Sequence, residues 1–409
     1  MRILYLSHRF PYPPIFGSKV RAFNTIVHLA RQGHEVSVVA PVRSLQEAAE
    51  AAGIAAHCHA FHATPVTPWT QLAKVALTLP TPITASEAYF HSAQMRRIVE
   101  RLLDSRSVDA LIAHCSSIGR IAEPAQGLPK LLDLCDVDSR KWIDYTAFKA
   151  LPLSLGYRWE GLRLAAAERR MARRYDRVTV ATESEMEALG EVGVTERVDW
   201  FANGVDTDYF APTTRPYDRK CITFVGRMDY FPNEQCMADF CAQVWPQLRA
   251  RDPELRLQIV GAAPTPPVLR LAQLPGVSVF GAVPDVRPYV QRSASTIAPL
   301  QIARGTQNKI LESMAMGVPA ICSPMAAAGV DAMTGEHLVV ARDREEWVER
   351  ILEVTGDAHL RERLGQAGRS RVLSHHIWPQ VMKRFDRALS ACLASATRAG
   401  APLSAPMDA

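Results

Sequence analysis

Two successive runs of short apolar strands alternating with helices constrain this 409-residue chain more than any other feature. The first opens with RILYLS at 2–7, then a loop HRFPYPPIFG, a helix from Ser18 to about Gln32, and a strand from Glu35 to Ala40. Further strands are expected at Asp109–Ala113, Lys130–Leu134 and Arg177–Ala181. A turn at Asn203-Gly204-Val205-Asp206 and the polar segment APTTRPYDRK then interrupt the pattern. The alternation resumes with strands at Cys221–Val225, Leu255–Val260, Val277–Phe280, Thr296–Pro299 and Ala320–Cys322, and turns helical from Arg344 to Ser395. Such spacing predicts parallel sheets covered by helices on both faces. The chain is expected to be α/β, two Rossmann-like doubly wound domains, 1–202 and 203–380, facing across a cleft. A helix at 381–395 is expected to return to the first lobe, and 396–409 to be a disordered tail.

With 48% hydrophobic and 22% charged residues, the chain can bury a core in each lobe. A net charge of +5 favours an anionic ligand or membrane surface, and no nucleic-acid-reading motif accompanies it, so no nucleic acid partner is expected. The eight cysteines form no C-x-x-C pair and mostly sit in apolar runs, as reduced thiols do. The N-terminus shows no signal-peptide pattern, and no apolar run approaches the ~20 residues of a spanning helix. The expected location is cytoplasmic. The first loop holds Gly17 but no G-x-G-x-x-G, which argues against a dinucleotide.

The segment RGTQNKILESMAMGVP, Arg304 to Pro319, carries the strongest chemical signal. As a helix starting at Gly305 it would place Ile310, Leu311, Met314 and Ala315 on one face and Gly305, Asn308, Lys309 and Glu312 on the other. Free N–H groups at the glycine and the charge of Lys309 suit a diphosphate. Glu312, roughly 10 Å further along, suits the paired hydroxyls of a sugar. An ordinary amphipathic helix with a solvated polar face fits the spacing equally well. Gly17, Gly226-Arg227 and this segment all follow strands, where doubly wound sheets bind ligands.

In their order and spacing, G-H-E-V at 33–36, N-G-V-D at 203–206, V-G-R at 225–227 and L-E-S-M-A-M-G-V-P at 311–319 resemble the retaining glycosyltransferases of the GT-B fold, family 4. D-V-D-S-R-K-W at 136–142, G-R-M-D-Y-F-P-N at 226–233 and T-G-E-H at 334–337 narrow the resemblance to the subgroup associated with PEP-CTERM/exosortase exopolysaccharide systems. The resemblance implies sugar transfer from a nucleotide diphosphate donor, UDP-sugar favoured, to a lipid-linked saccharide acceptor, without metal or cofactor. It implies donor contacts from Gly17, Gly226, Arg304, Gly305, Thr306, Gln307, Asn308 and Glu312, catalytic roles for Asp136, Arg227 and Lys309, and acceptor-side roles for His114, Asp138 and Lys141. Within it Glu312 would hold the ribose hydroxyls and Arg227 the diphosphate.

Three departures stand out. Arg304 occupies the place of the first glutamate of the family's E-x7-E pattern, which points to a donor bearing a negative group. The family lysine expected near Pro232 is missing, and Lys309 is the candidate replacement. The family's N-lobe histidine aligns loosely with Asp136. Asp136-Val137-Asp138 is also a D-x-D triplet, a metal-binding pattern in the other glycosyltransferase fold, but a two-lobe chain argues against that use. His114 either lines the acceptor side or is a satisfied histidine near the core. Arg158 to Arg177 holds seven arginines beside Leu155, Trp159 and Leu162, and reads either as a contact with the inner-membrane surface or as a solvated helix face. A nucleotide-sugar 2-epimerase and a non-catalytic nucleotide-sugar-binding subunit are the alternative functions.

Overall fold

The computed structural model describes residues 1–15, 17–78 and 81–398. It divides into two units, one of Met1–Asn203 with the chain from Val381, the other Gly204–Gln380.

The first unit is built on a seven-stranded parallel sheet of β1 (Arg2–Ser7), β2 (Glu35–Val42), β3 (Ala60–Pro65), β4 (Ala110–His114), β5 (Lys130–Cys135), β6 (Arg177–Val180) and β7 (Val198–Trp200). The order is β3-β2-β1-β4-β5-β6-β7, so the direction of winding reverses between β1 and β4. Leu4 pairs with Ser37 on one side and Leu111 on the other. The inner strands are apolar along nearly their whole length because helices cover both faces. Edge strands β3 and β7 mix polar with apolar residues and are only partly buried, which is why no apolar run announces them.

A buried charge network ties this unit together. Helix Gly17–Arg31 carries Arg21 into the core at 1% exposure. Its Nε and Nη2 donate to the two Asp133 oxygens, each at 2.8 Å, and Nη1 donates to the Phe201 carbonyl at 2.7 Å. The guanidinium lies 3.5 Å from the Phe201 ring centroid. Asp133 also accepts from Thr179 Oγ1 and is 3.0 Å from His114 Nδ1. Burial alone would raise the Asp133 carboxyl, but Arg21 overrides it and holds the group well below the usual carboxylate range. Nearby, Glu168 of helix Leu153–Ala172 accepts from the Ser139 backbone N–H and bonds its hydroxyl, and burial pushes its carboxyl up to about 8. The C-terminal helix Trp378–Arg398 packs on this same unit: Phe385 meets Phe201, and Asp386 lies 2.7 Å from His28 Nε2. Residues 396–398, expected within a disordered tail, are helical, because that helix continues through Arg398. The rest of the expected tail lies outside the described residues.

The second unit has a six-stranded parallel sheet, β8 (Asp218–Val225), β9 (Arg256–Val260), β10 (Val277–Phe280), β11 (Ser293–Ala298), β12 (Ala320–Cys322) and β13 (Val339–Val340), in the order β10-β9-β8-β11-β12-β13. Its winding reverses between β8 and β11. Trp245, Phe224, Leu257, Ile297 and Leu311 belong to one continuous buried core. Asp343 and Asp357 cap the helices Arg344–Gly356 and Ala358–His375 by accepting first-turn N–H groups. Among the described residues no helix is long and apolar enough to cross a membrane.

Candidate functional site

The reversal point of the second sheet brings together the loops that follow β8 and β11, where doubly wound sheets hold their ligands. The β8 loop starts at Gly226, whose N–H donates to the Val260 carbonyl. Glycine is required opposite it. Gly261 sits at φ +155°, and a Cβ there would lie 1.8 Å from the Gly226 oxygen. The turn Gly226–Asn233 is held from inside, because Asn233 Nδ2 donates to the Arg227 carbonyl at 2.9 Å.

Asn233 also links this loop to the next helix. Lys309 Nζ donates to Asn233 Oδ1 at 2.8 Å and stands 4.2 Å from the centroid of Phe224. A side chain at Gly226 would place its Cβ 3.1 Å from that ammonium. Lys309 therefore reaches the loop where the missing family lysine was expected. Burial pulls it down to about 8, against the opposing pull of Cys236 and Glu312. Glu312 lies one turn on, partly buried, with its carbonyl accepting from the Met316 N–H and its carboxylate in no hydrogen bond among the described residues. Burial pushes it up to about 7, which Lys309 only partly offsets. The pair can give a fixed cation to an anionic group and a carboxylate to neighbouring hydroxyls.

The helix that carries them differs from its expectation. It spans Asn308–Ala315, not a run from Gly305, because Gly305 takes φ +60°, which a right-handed helix excludes. Glu312 is thus about one turn from the first helical residue, not two. Arg304, Gly305, Thr306 and Gln307 form the preceding loop, pinned by Gln307 Nε2 donating to the Arg304 carbonyl at 3.0 Å. The Gly305 carbonyl packs where a Cβ on Gly329 would come within 2.2 Å. Lys309 lies over an aromatic ring, not on a solvated face. Asn308 opens the helix beside it. Arg227 is exposed and held by both oxygens of Asp229, at 2.5 and 2.7 Å.

In the first unit the candidates separate. His114 is fully buried and bonded to Asp133, so it belongs to the core network, not to an acceptor-facing surface. Asp138 opens helix Asp138–Tyr145 and accepts from Ser116 Oγ at 2.8 Å and Lys141 Nζ at 3.2 Å. Asp136 is partly buried just beyond β5. Gly17 is the first residue of its helix, and a Cβ there would meet no described atom within 4 Å. His114, Asp133 and Cys135 place possible metal-binding atoms within 4.8 Å of one another. Arg21 already takes both Asp133 oxygens there, and a cation would sit beside its fixed positive charge. Neither Asp136 nor Asp138 joins that group.

The basic helix is largely committed to its own unit. Arg163 donates to the carbonyls of Thr81 and Ile83, Arg169 to that of Val192, and Arg170 and Arg174 pair with Glu87 and Glu123. Leu155, Trp159 and Leu162 remain exposed.

A glycosyl transferase 4-like domain model matches residues 16–204, and a model of glycosyl transferases group 1 matches 219–357. No curated protein matches the chain by sequence. Among solved structures, sucrose-phosphate synthase from Thermosynechococcus elongatus is similar with a TM-score of 0.70 at 14% identity, covering 97% of this chain and 100% of that one. Anabaena HepE, in complex with UDP and glucose, is similar with a TM-score of 0.68 at 13% identity, covering 96% and 100%. A glycosyltransferase from Rickettsia africae reaches a TM-score of 0.64 at 14% identity, covering 96% and 98%. With a glycosyl transferase 4-like domain followed by a group 1 domain, on the fold it shares with these proteins, the chain is a glycosyltransferase of the GT-B type.

Proposed function

We propose that the protein is a metal-independent, retaining glycosyltransferase that moves a sugar from a nucleotide-diphosphate donor, UDP-sugar favoured, to a lipid-linked saccharide. We place it at the cytoplasmic face of a membrane, in exopolysaccharide assembly of the PEP-CTERM/exosortase kind. The carrying observation is the Lys309 ammonium fixed to Asn233 beside Gly226, at the point where the sheet reverses. As the glycosidic bond breaks, the leaving diphosphate gains negative charge, and a positioned ammonium stabilises that charge more than it stabilises the bound donor. Arg227, now chelated by Asp229, would turn from that carboxylate to the phosphates. Glu312, once ionised, would accept from the ribose hydroxyls. Asp136 would bind the acceptor hydroxyl or balance the oxocarbenium-like charge at the reacting carbon. A UDP-sugar donor is supported by the similarity to HepE, which has been solved with UDP-glucose.

Calorimetric titration with UDP, GDP and ADP, with and without magnesium, tests this reading. One nucleotide should bind clearly better than the others and be indifferent to magnesium. Binding of none of them, or only with magnesium, overturns it. Arg304 in place of a family glutamate favours a second reading, a nucleotide-sugar-binding subunit without turnover. Release of nucleotide diphosphate with any acceptor eliminates that alternative.

A further inference from the structure

The guanidinium groups of two arginines at the carboxyl edge of the first sheet pair with no carboxylate among the described residues. Arg9 follows β1 and Arg43 follows β2. Arg9 Nε reaches His8 Nε2 at 3.3 Å, and Arg43 Nη2 reaches the His8 carbonyl at 3.4 Å. Both guanidiniums lie over the Phe90 ring, 5.8 and 5.0 Å from its centroid. The nearby carboxylate, Glu47, is occupied elsewhere: it accepts from the Arg43 backbone N–H at 2.8 Å and pairs with Lys19 at 3.7 Å. Burial, and then the Arg9 charge, pull the Arg43 guanidinium below its ordinary value. Two partly buried like charges held on one aromatic ring repel each other, and an anion between them would relieve that repulsion.

The helix Pro68–Thr78 stands beside them. Its buried Gln71 lines one shallow depression with Arg43, Tyr89 and Phe90. Its outward side is apolar, with Trp69 82%, Leu72 52% and Leu77 77% exposed and Ala73 and Ala76 exposed between them. The helix's one charged residue, Lys74, donates to the His91 carbonyl instead. A tryptophan and two leucines presented together by one short helix mark a surface that meets apolar material.

We propose that Arg9 and Arg43 bind the phosphate of a lipid-borne acceptor whose hydrocarbon part lies along Trp69, Leu72 and Leu77. This rests on the lipid-linked acceptor proposed above and names the groups that recognise it. The acceptor phosphate is then held at the strand ends beside the reversal between β1 and β4, while the chain stays in an apolar phase.

The test is co-sedimentation of the full chain with phosphatidylcholine vesicles containing phosphatidylinositol, whose phosphate joins a lipid to a polyol ring as that of a lipid-linked saccharide does, against cholesteryl hemisuccinate, an anionic lipid without phosphate, at matched surface charge. The parent should prefer phosphatidylinositol. Arg9→Gln and Arg43→Gln should each weaken that binding by about tenfold, the loss of one charge-assisted contact. Arg9→Lys and Arg43→Lys should retain most of it, which separates charge from misfolding. Trp69→Ser with Leu72→Ser should weaken binding to both vesicle types. Unchanged binding by the glutamine variants, equal binding to the hemisuccinate vesicles, or complete displacement by millimolar inorganic phosphate would each overturn the proposal. UDP titration of the same preparations reads the second unit. Nucleotide binding without phosphatidylinositol preference sinks this inference and keeps the transferase reading, and the converse result does the opposite.

Discussion

The affinity for UDP should pass through a maximum between pH 7 and 8, because the two charged groups of the Asn308–Ala315 helix are each displaced toward neutrality. Burial places Glu312 at about 7 and Lys309 at about 8. The ribose needs the carboxylate form of Glu312, so binding strengthens as pH rises through 7. The diphosphate needs the ammonium form of Lys309, so binding weakens as pH climbs past 8. Each charged fraction falls tenfold per pH unit beyond its midpoint, and at pH 7.5 about three-quarters of each group is charged, so affinity at pH 5.5 or 9.5 should be about 20-fold below its maximum. A terminal phosphate of the nucleotide itself titrates near pH 6. The acid limb is therefore read as the difference between the parent and Glu312→Gln, and the basic limb as the difference between the parent and Lys309→Met. Calorimetry at half-unit steps from pH 5.5 to 9.5 supplies both. An affinity flat from pH 6 to 9, or limbs that survive in the matching variants, would refute the placement of these groups around a bound nucleotide.

Lys309→Ala should lower kcat by about a hundredfold, more than it weakens donor binding, since leaving-group charge peaks in the transition state; equal losses in kcat and affinity count against that role. Arg21→Met should cost about 3–5 kcal/mol in urea unfolding, because it leaves Asp133 charged and buried without its main partner. A loss under about 1 kcal/mol would mean that water or His114 replaces the guanidinium. Glu168→Gln should be tolerated and should gain stability relative to the parent as pH rises from 5 to 8. The raised carboxyl keeps its proton in the folded state, so the parent loses stability across that window and the amide does not. Urea midpoints at pH 5, 6.5 and 8 decide it.

Strands β1, β4 and β5 were legible because they are buried on both faces and read as apolar runs, and β8 through its last five residues, CITFV. Strand β11, SASTIA, is fully buried yet half serine and threonine, and only its end from Thr296 could be picked out. Edge strand β3 was not legible, since AFHATP mixes polar and apolar residues, and β13 is two residues long. Glu312 and Lys309 could be picked out from helical spacing, but the spacing did not separate a ligand-facing side from a solvated one and started their helix three residues early. Only the backbone shows that Gly305 turns left-handed. Arg21 gave no signal. Its partner Asp133 lies 112 positions away, and an arginine in an amphipathic helix ordinarily points to water. Arg9 and Arg43 were hidden for the same reason, since an unmatched charge is visible only once neighbouring carboxylates have been assigned to other groups.

The return of helix Trp378–Arg398 to the first unit makes that unit discontinuous in the gene while the second is one uninterrupted segment. During synthesis the ribosome delivers Gly204–Gln380 before the residues that cover Phe201 and meet His28. The unit that begins first is thus completed last, and a chain truncated at 380 would carry a whole second unit beside a first one that lacks its final helix.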